Sequence, residues 1–222
     1  MELSYSTTSE TVIALDNVSL ELEQAQLVAV LGASGSGKTS LLNVITGLQE
    51  AQSGSITVAG YAVDDLTETQ RAYMRLADVG VVFQDHNLIP EFSAEENVLL
   101  PLRARGVSMA EAKVETAEWL GMVGIGELGQ RMPAQLSGGQ SQRVGIARAL
   151  VGGRKVLVAD EPTGSLDAEN TSAIFSLLYS LTASGVTVIV ATHDHLINRT
   201  ADRVLTMLDG RIVSDERSGA VA

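Results

Sequence analysis

Leu27-Val28-Ala29-Val30-Leu31-Gly32-Ala33-Ser34-Gly35-Ser36-Gly37-Lys38-Thr39 is the stretch that decides the fold. Five apolar residues in a row read as a buried strand, a glycine-rich turn follows at once, and a helical pattern starts at Lys38. The eight residues from Gly32 satisfy the phosphate-binding pattern G-x-x-x-x-G-K-[ST] in full. Gly32, Ser34, Gly35, Ser36 and Gly37 are small, so backbone N–H groups can turn inward around a phosphate. The helix N-terminus behind them adds a partial positive charge. Lys38 can reach the β- and γ-phosphates of a nucleotide, and the Thr39 hydroxyl, with Ser40 next to it, can meet a magnesium ion. Four fixed positions arise by chance in about 1% of chains this long, and the flanking strand and helix lower that figure, so chance is set aside.

Working outward, further strands are expected at residues 55–59, 79–83, 156–159 and 186–191. Helices are expected from 94 to about 120 with a break at Gly106, at 139–150 and at 168–182. Asp209-Gly210 between two apolar runs is a hairpin signal. Strands alternating with helices imply an α/β fold with a parallel sheet wrapped by helices. Short β-rich runs open the chain, and residues 88–150 read as a helical insertion, so 1–222 is expected to form one domain with two lobes. Residues 217–222 read as a frayed tail.

Composition narrows the function classes. The chain has 222 residues, a net charge of −12 and no cysteine. The acidity disfavours nucleic acid and direct binding to anionic lipid, so a membrane role would need a protein partner. Disulfides and thiolate metal sites are excluded, which fits a reducing compartment. The first ten residues lack the basic start and apolar run of a secretory signal. The longest apolar runs fall far short of the ~18 residues that a membrane span needs, so no direct membrane insertion is expected.

Val156-Leu157-Val158-Ala159-Asp160-Glu161 is an apolar strand ending in two acids. Such a strand delivers carboxylates to the edge of the sheet where ligands of open α/β folds bind. Asp160 is then placed to hold magnesium and Glu161 to polarise an attacking water. Taken alone, two acids after a strand serve as well for a helix cap; the phosphate loop ahead of them favours the catalytic role.

Leu136-Ser137-Gly138-Gly139-Gln140 narrows the class further, because it resembles the signature of ABC ATPases, which carry the same loop and acid pair in this order. Ser137 also reads as a helix N-cap, and the exposed amides at that helix start can grip a phosphate. The resemblance implies an ABC ATPase fold, with a RecA-like P-loop core, an N-terminal antiparallel β part and an inserted helical subdomain. It implies roles for Gln84 as a magnesium and water ligand that senses a permease, for Ser165-Leu166-Asp167 as the loop at a dimer seam, and for His193 as the switch at the γ-phosphate. Tyr5 lies about where the family keeps an aromatic that stacks on adenine. Ala25-Gln26 stands where relatives commonly have Gly-Glu, Thr39-Ser40 inverts the usual order, and Ser165 stands where asparagine is frequent.

By the same resemblance, two copies stack head to tail, each ATP lying between Lys38 of one and Ser137 and Gly139 of the other. The pair would sit peripherally on the cytoplasmic face of the cell membrane beneath two copies of a permease. Phe83-Gln84-Asp85-His86-Asn87-Leu88-Ile89-Pro90, Glu96-Asn97-Val98, Pro101-Leu102 and Asp160–Asp167 resemble the branch that serves lipoprotein release, macrolide and peptide export, haem export and cell division. Export or extraction of a hydrophobic compound, haem, peptide or lipoprotein is therefore expected, and a cell-division-type regulator that transmits force without cargo is the alternative. A DNA- or ribosome-directed ATPase would need a basic surface or a second ATPase domain, and a plain P-loop kinase would leave Leu136–Gln140 without a purpose.

Overall fold

Strand β3, Leu27–Leu31, is buried along its whole length, which in a parallel sheet means that both faces are covered. Its side chains alternate accordingly. Leu27, Ala29 and Leu31 join the core that holds Ile146, Leu150, Ile174, Phe175 and Leu178, while Val28 and Val30 join the opposite core with Leu41, Val44 and Met74. The computed structural model describes residues 1–6 and 11–217. The expected tail beyond Arg217 lies outside the described residues.

In chain order, β1 (Leu3–Ser6) pairs antiparallel with β2 (Thr11–Leu15). After β3 come α1 (Lys38–Ile45), the small hairpin of β4 (Thr57–Val58) and β5 (Tyr61–Ala62), then α2 (Glu68–Ala77) and β6 (Val79–Val82). Three helices follow before the sheet resumes: α3 (Ala94–Ala104), α4 (Met109–Met122) and α5 (Gly138–Leu150). The chain ends with β7 (Val156–Asp160), α6 (Ala168–Thr182), β8 (Thr187–Thr192), β9 (Arg203–Leu208) and β10 (Arg211–Arg217). The main sheet runs β10-β9-β3-β8-β7-β6, parallel except for β10.

The three inserted helices start alike. Ser93, Ser108 and Ser137 each cap a helix, with Glu96, Glu111 and Gln140 three residues on closing a capping box. Each box satisfies two otherwise orphaned backbone donors. The expected break at Gly106 separates α3 from α4, and Gly106 sits at φ +81°. The strand expected over 55–59 is shorter than the apolar pattern suggested, because the chain turns back at Ala59-Gly60, both at positive φ. Asp209 and Gly210 take φ +46° and +76°, the type I′ geometry expected of that hairpin. At Gly80 in β6 a Cβ would lie 1.9 Å from the Ala149 carbonyl oxygen, so glycine is what lets α5 pack directly on the sheet. Among the described residues no helix is long and apolar enough to cross a membrane.

Candidate functional site

The turn between β3 and α1 is shaped by contacts that only glycine permits. Gly37 sits at φ +102°, and a Cβ there would meet the Ala14 carbonyl oxygen at 2.4 Å. At Gly32 a Cβ would fall 2.4 Å from Ser36 Oγ and 2.5 Å from the Met207 carbonyl oxygen. Around Gly35 the space is open, so Ser34 and Gly35 form the exposed lip of the turn. The β9–β10 turn closes on the loop from behind, with Gly210 N–H donating to the Ser36 carbonyl at 3.0 Å.

Lys38, 7% exposed, curls back into this turn, its Nζ donating to the Gly32 carbonyl at 2.7 Å and the Ala33 carbonyl at 3.1 Å. A buried ammonium held by neutral carbonyls and one distant carboxylate, Glu161 at 3.9 Å, can exchange those carbonyls for phosphate oxygens. Thr39 is exposed, Ser40 half-buried behind it, and Thr39 donates a hydrogen bond to Asp160.

Asp160 ends β7. Its Oδ1 is buried and has no hydrogen-bond partner. Burial pushes its carboxyl above the usual carboxylate range; the Thr39 bond opposes the rise, Glu161 adds to it, and Lys38 opposes it. A buried, unpartnered carboxylate oxygen is costly unless a cation or donor completes it. Ser36 Oγ, in the phosphate turn, is likewise buried without a partner.

Glu161 follows at φ +45°, a left-handed conformation that a non-glycine residue adopts at a cost. Its N–H donates to the Ala191 carbonyl at 2.8 Å, tying the residue to the end of β8. Thr192 Oγ1 donates to Oε2 at 3.1 Å, and His193 Nδ1 lies 3.0 Å from both carboxylate oxygens. A carboxylate only accepts, so Nδ1 carries the hydrogen and Nε2 is the ring nitrogen left to face outward. The Gln84 side chain lies beside Gly164, where a Cβ would come within 3.3 Å of its Nε2.

The structure thus brings Gly32–Thr39, Asp160, Glu161 and His193 to one edge of the sheet, with Gln84 beside the loop that follows Glu161. Thr192, which orients both Glu161 and, through the Asp194 N–H, the next turn, was missed by sequence reasoning. The hydroxyl between the strand 186–191 and His193 was its only signal. Ser137–Gln140 gathers different partners. A Cβ at Gly138 would meet Leu166 at 3.3 Å and one at Gly139 would meet Asn170 at 3.0 Å, so the signature turn packs on the start of α6. Asp167 caps that helix, accepting from the Asn170 N–H at 2.8 Å and from its side chain, and these bonds hold its carboxyl below the usual range. Tyr5 lies on β1, 41% exposed.

Residues 15–164 match the family model described as ABC transporter. The lipoprotein-releasing system ATP-binding protein LolD of Hahella chejuensis is 44% identical over 202 residues, 90% of this chain and 87% of that one. The macrolide export ATP-binding/permease protein MacB of Burkholderia pseudomallei is 41% identical over 204 residues. Those cover 92% of this chain but 31% of the relative, so the chain spans about a third of MacB's length. Among solved structures, the dimeric post-hydrolysis state of the ATP-binding cassette MJ0796, bound to ADP and Pi, superposes with a TM-score of 0.89 at 36% identity, covering 97% of this chain and 95% of that one.

Proposed function

Because the chain belongs to the ABC transporter family, we propose that it is the ATP-hydrolysing subunit that drives a separate membrane permease. The observation that carries this reading is the buried Asp160 Oδ1 without a partner, set beside Thr39, Lys38 and Glu161. Lys38 and the N–H groups of Gly32–Thr39 hold the phosphates, and Tyr5 stacks on the base. The residues present suit magnesium: a hydroxyl from Thr39, an amide oxygen from Gln84 and a carboxylate from Asp160, a hard-oxygen set that leaves places for phosphate and water. When bound, magnesium would neutralise charge on the phosphate oxygens.

Glu161 accepts a proton from the attacking water, and its fixed backbone and the Thr192 bond aim the carboxylate. His193, anchored by Nδ1 to that carboxylate, presents Nε2 to the γ-phosphate. Ser137, Gly138, Gly139 and Gln140 act on the nucleotide of a second copy, stacked head to tail, with Asp167 at the seam. The dimeric state of the solved MJ0796 cassette supports a pairing of two copies. Residues 88–150 form the lobe that meets the permease, two copies of which place the ATPase pair on the cytoplasmic face of the membrane. The 44% likeness to a lipoprotein-releasing subunit over nearly its full length supports extraction or export of a hydrophobic cargo.

Phosphate release tests the site. The parent should hydrolyse ATP only with magnesium, Lys38→Ala should lose nucleotide binding, and Glu161→Gln should bind ATP without turnover. Hydrolysis at the parent rate by Glu161→Gln would remove Glu161 from the role of base.

A further inference from the structure

His86 joins two parts of the site that the chain otherwise keeps separate. It lies two residues past Gln84, with Nδ1 2.9 Å from the Gln84 carbonyl oxygen and Nε2 3.0 Å from the Gly138 carbonyl oxygen, 52 residues away in the signature turn. The loop around it is pinned as well. Arg148 of α5 donates to the carbonyls of His86 at 2.7 Å and Asn87 at 2.6 Å. Fully buried Asn97 accepts from the Ile89 N–H at 2.8 Å and donates to the carbonyls of Ile89 and Phe92. His86 and Asn87 both sit in the left-handed region, at φ +62° and +47°, a conformation that persists in non-glycine residues only where the surroundings enforce it.

We propose that His86 is a positioning residue that ties the Gln84 loop to the signature turn, and so couples the nucleotide held by this subunit to the one the subunit presents to its partner. This rests on the head-to-tail reading. In that arrangement Gln84 serves the subunit's own ATP and Ser137–Gln140 the partner's, and His86 bridges the backbone of the two. Fixing the signature turn against the Gln84 loop before association lowers the ordering that dimerisation must impose.

The chemistry of the bridge makes it testable. Both ring nitrogens face carbonyl oxygens, which only accept. The imidazole N–H can donate to one of them, where an apolar ring of similar size can donate to neither. A side chain with an N–H keeps a tie and an apolar ring keeps none, so a purely space-filling role for the ring would not separate the two.

The test uses Glu161→Gln protein, whose dimer the proposed mechanism makes persistent, and sedimentation velocity against ATP concentration. The expected result is a dimerisation midpoint at least about threefold higher in the His86→Phe variant, which keeps a ring but loses both ties. His86→Gln keeps N–H donors. It should dimerise at a lower ATP concentration than His86→Phe. An unchanged midpoint in both variants would overturn the role of His86 while leaving the sandwich standing. Failure of the Glu161→Gln protein to dimerise at saturating ATP, even with the permease present, would sink the sandwich reading, and this coupling with it.

Discussion

Asp160 carries a carboxylate oxygen that the protein buries and leaves without a partner, and Glu161 beside it is held at φ +45°. Both are features a protein tolerates where the site needs them. Replacing Asp160 by Asn removes the buried charge, so the ligand-free protein should gain about 1 kcal/mol of stability in a denaturant titration while losing magnesium-dependent hydrolysis. The pH profile follows from the direction of the shift. A carboxyl raised in the folded state holds its proton where the unfolded chain has released it, so its ionisation lowers stability as pH rises from the usual carboxylate value to the raised one. Asp160→Asn should flatten the stability profile across that window. Tyr5→Ala should weaken ATP binding about fivefold to tenfold in a fluorescent-nucleotide titration if its ring stacks on the base, and leave it unchanged otherwise. The phosphate turn and the acid pair were legible in the sequence because their chemistry is contiguous. Thr192 and His86 were not, because each acts across 31 or 52 residues of chain that only the fold brings together.

At the scale of elements, Ala25 precedes β3 at φ +58°, where relatives commonly place glycine. Its N–H donates to Thr187 Oγ1 at 3.0 Å, so the turn is fixed by β8 and the alanine bears the strain. Ala25→Gly should raise stability by about 0.5–1 kcal/mol, read as a higher melting temperature with ATP turnover unchanged; a fall would mean that the turn relaxes without cost. Ser137 has two duties. It accepts the Gln140 N–H at 3.3 Å as the cap of α5, and in the proposed sandwich its hydroxyl meets the partner's nucleotide. Ser137→Ala should cost about 1 kcal/mol of stability through the lost cap and should raise the ATP concentration needed for dimerisation. Helix periods and strand runs were legible at this scale, as α6 at 168–182 and α5 near 139–150 illustrate. The pattern over 55–59 misled, because apolar residues at a two-strand hairpin look like the start of a longer strand.

In the whole molecule, the sheet delivers β3, β7 and β8 to one edge, where the phosphate turn, the acid pair and His193 meet. The helical insertion carries Ser137–Gln140 on a separate turn packed against α6. That separation is why one copy is read as half of a site, and the resemblance in the sequence already pointed to two copies. The most direct test is light scattering on the Glu161→Gln protein with and without magnesium and ATP, first alone and then with the permease. The account predicts a monomer without nucleotide and a dimer with it, lost again when Lys38 or Ser137 is also replaced. A monomer that persists at saturating ATP, even with the permease present, would contradict the shared site.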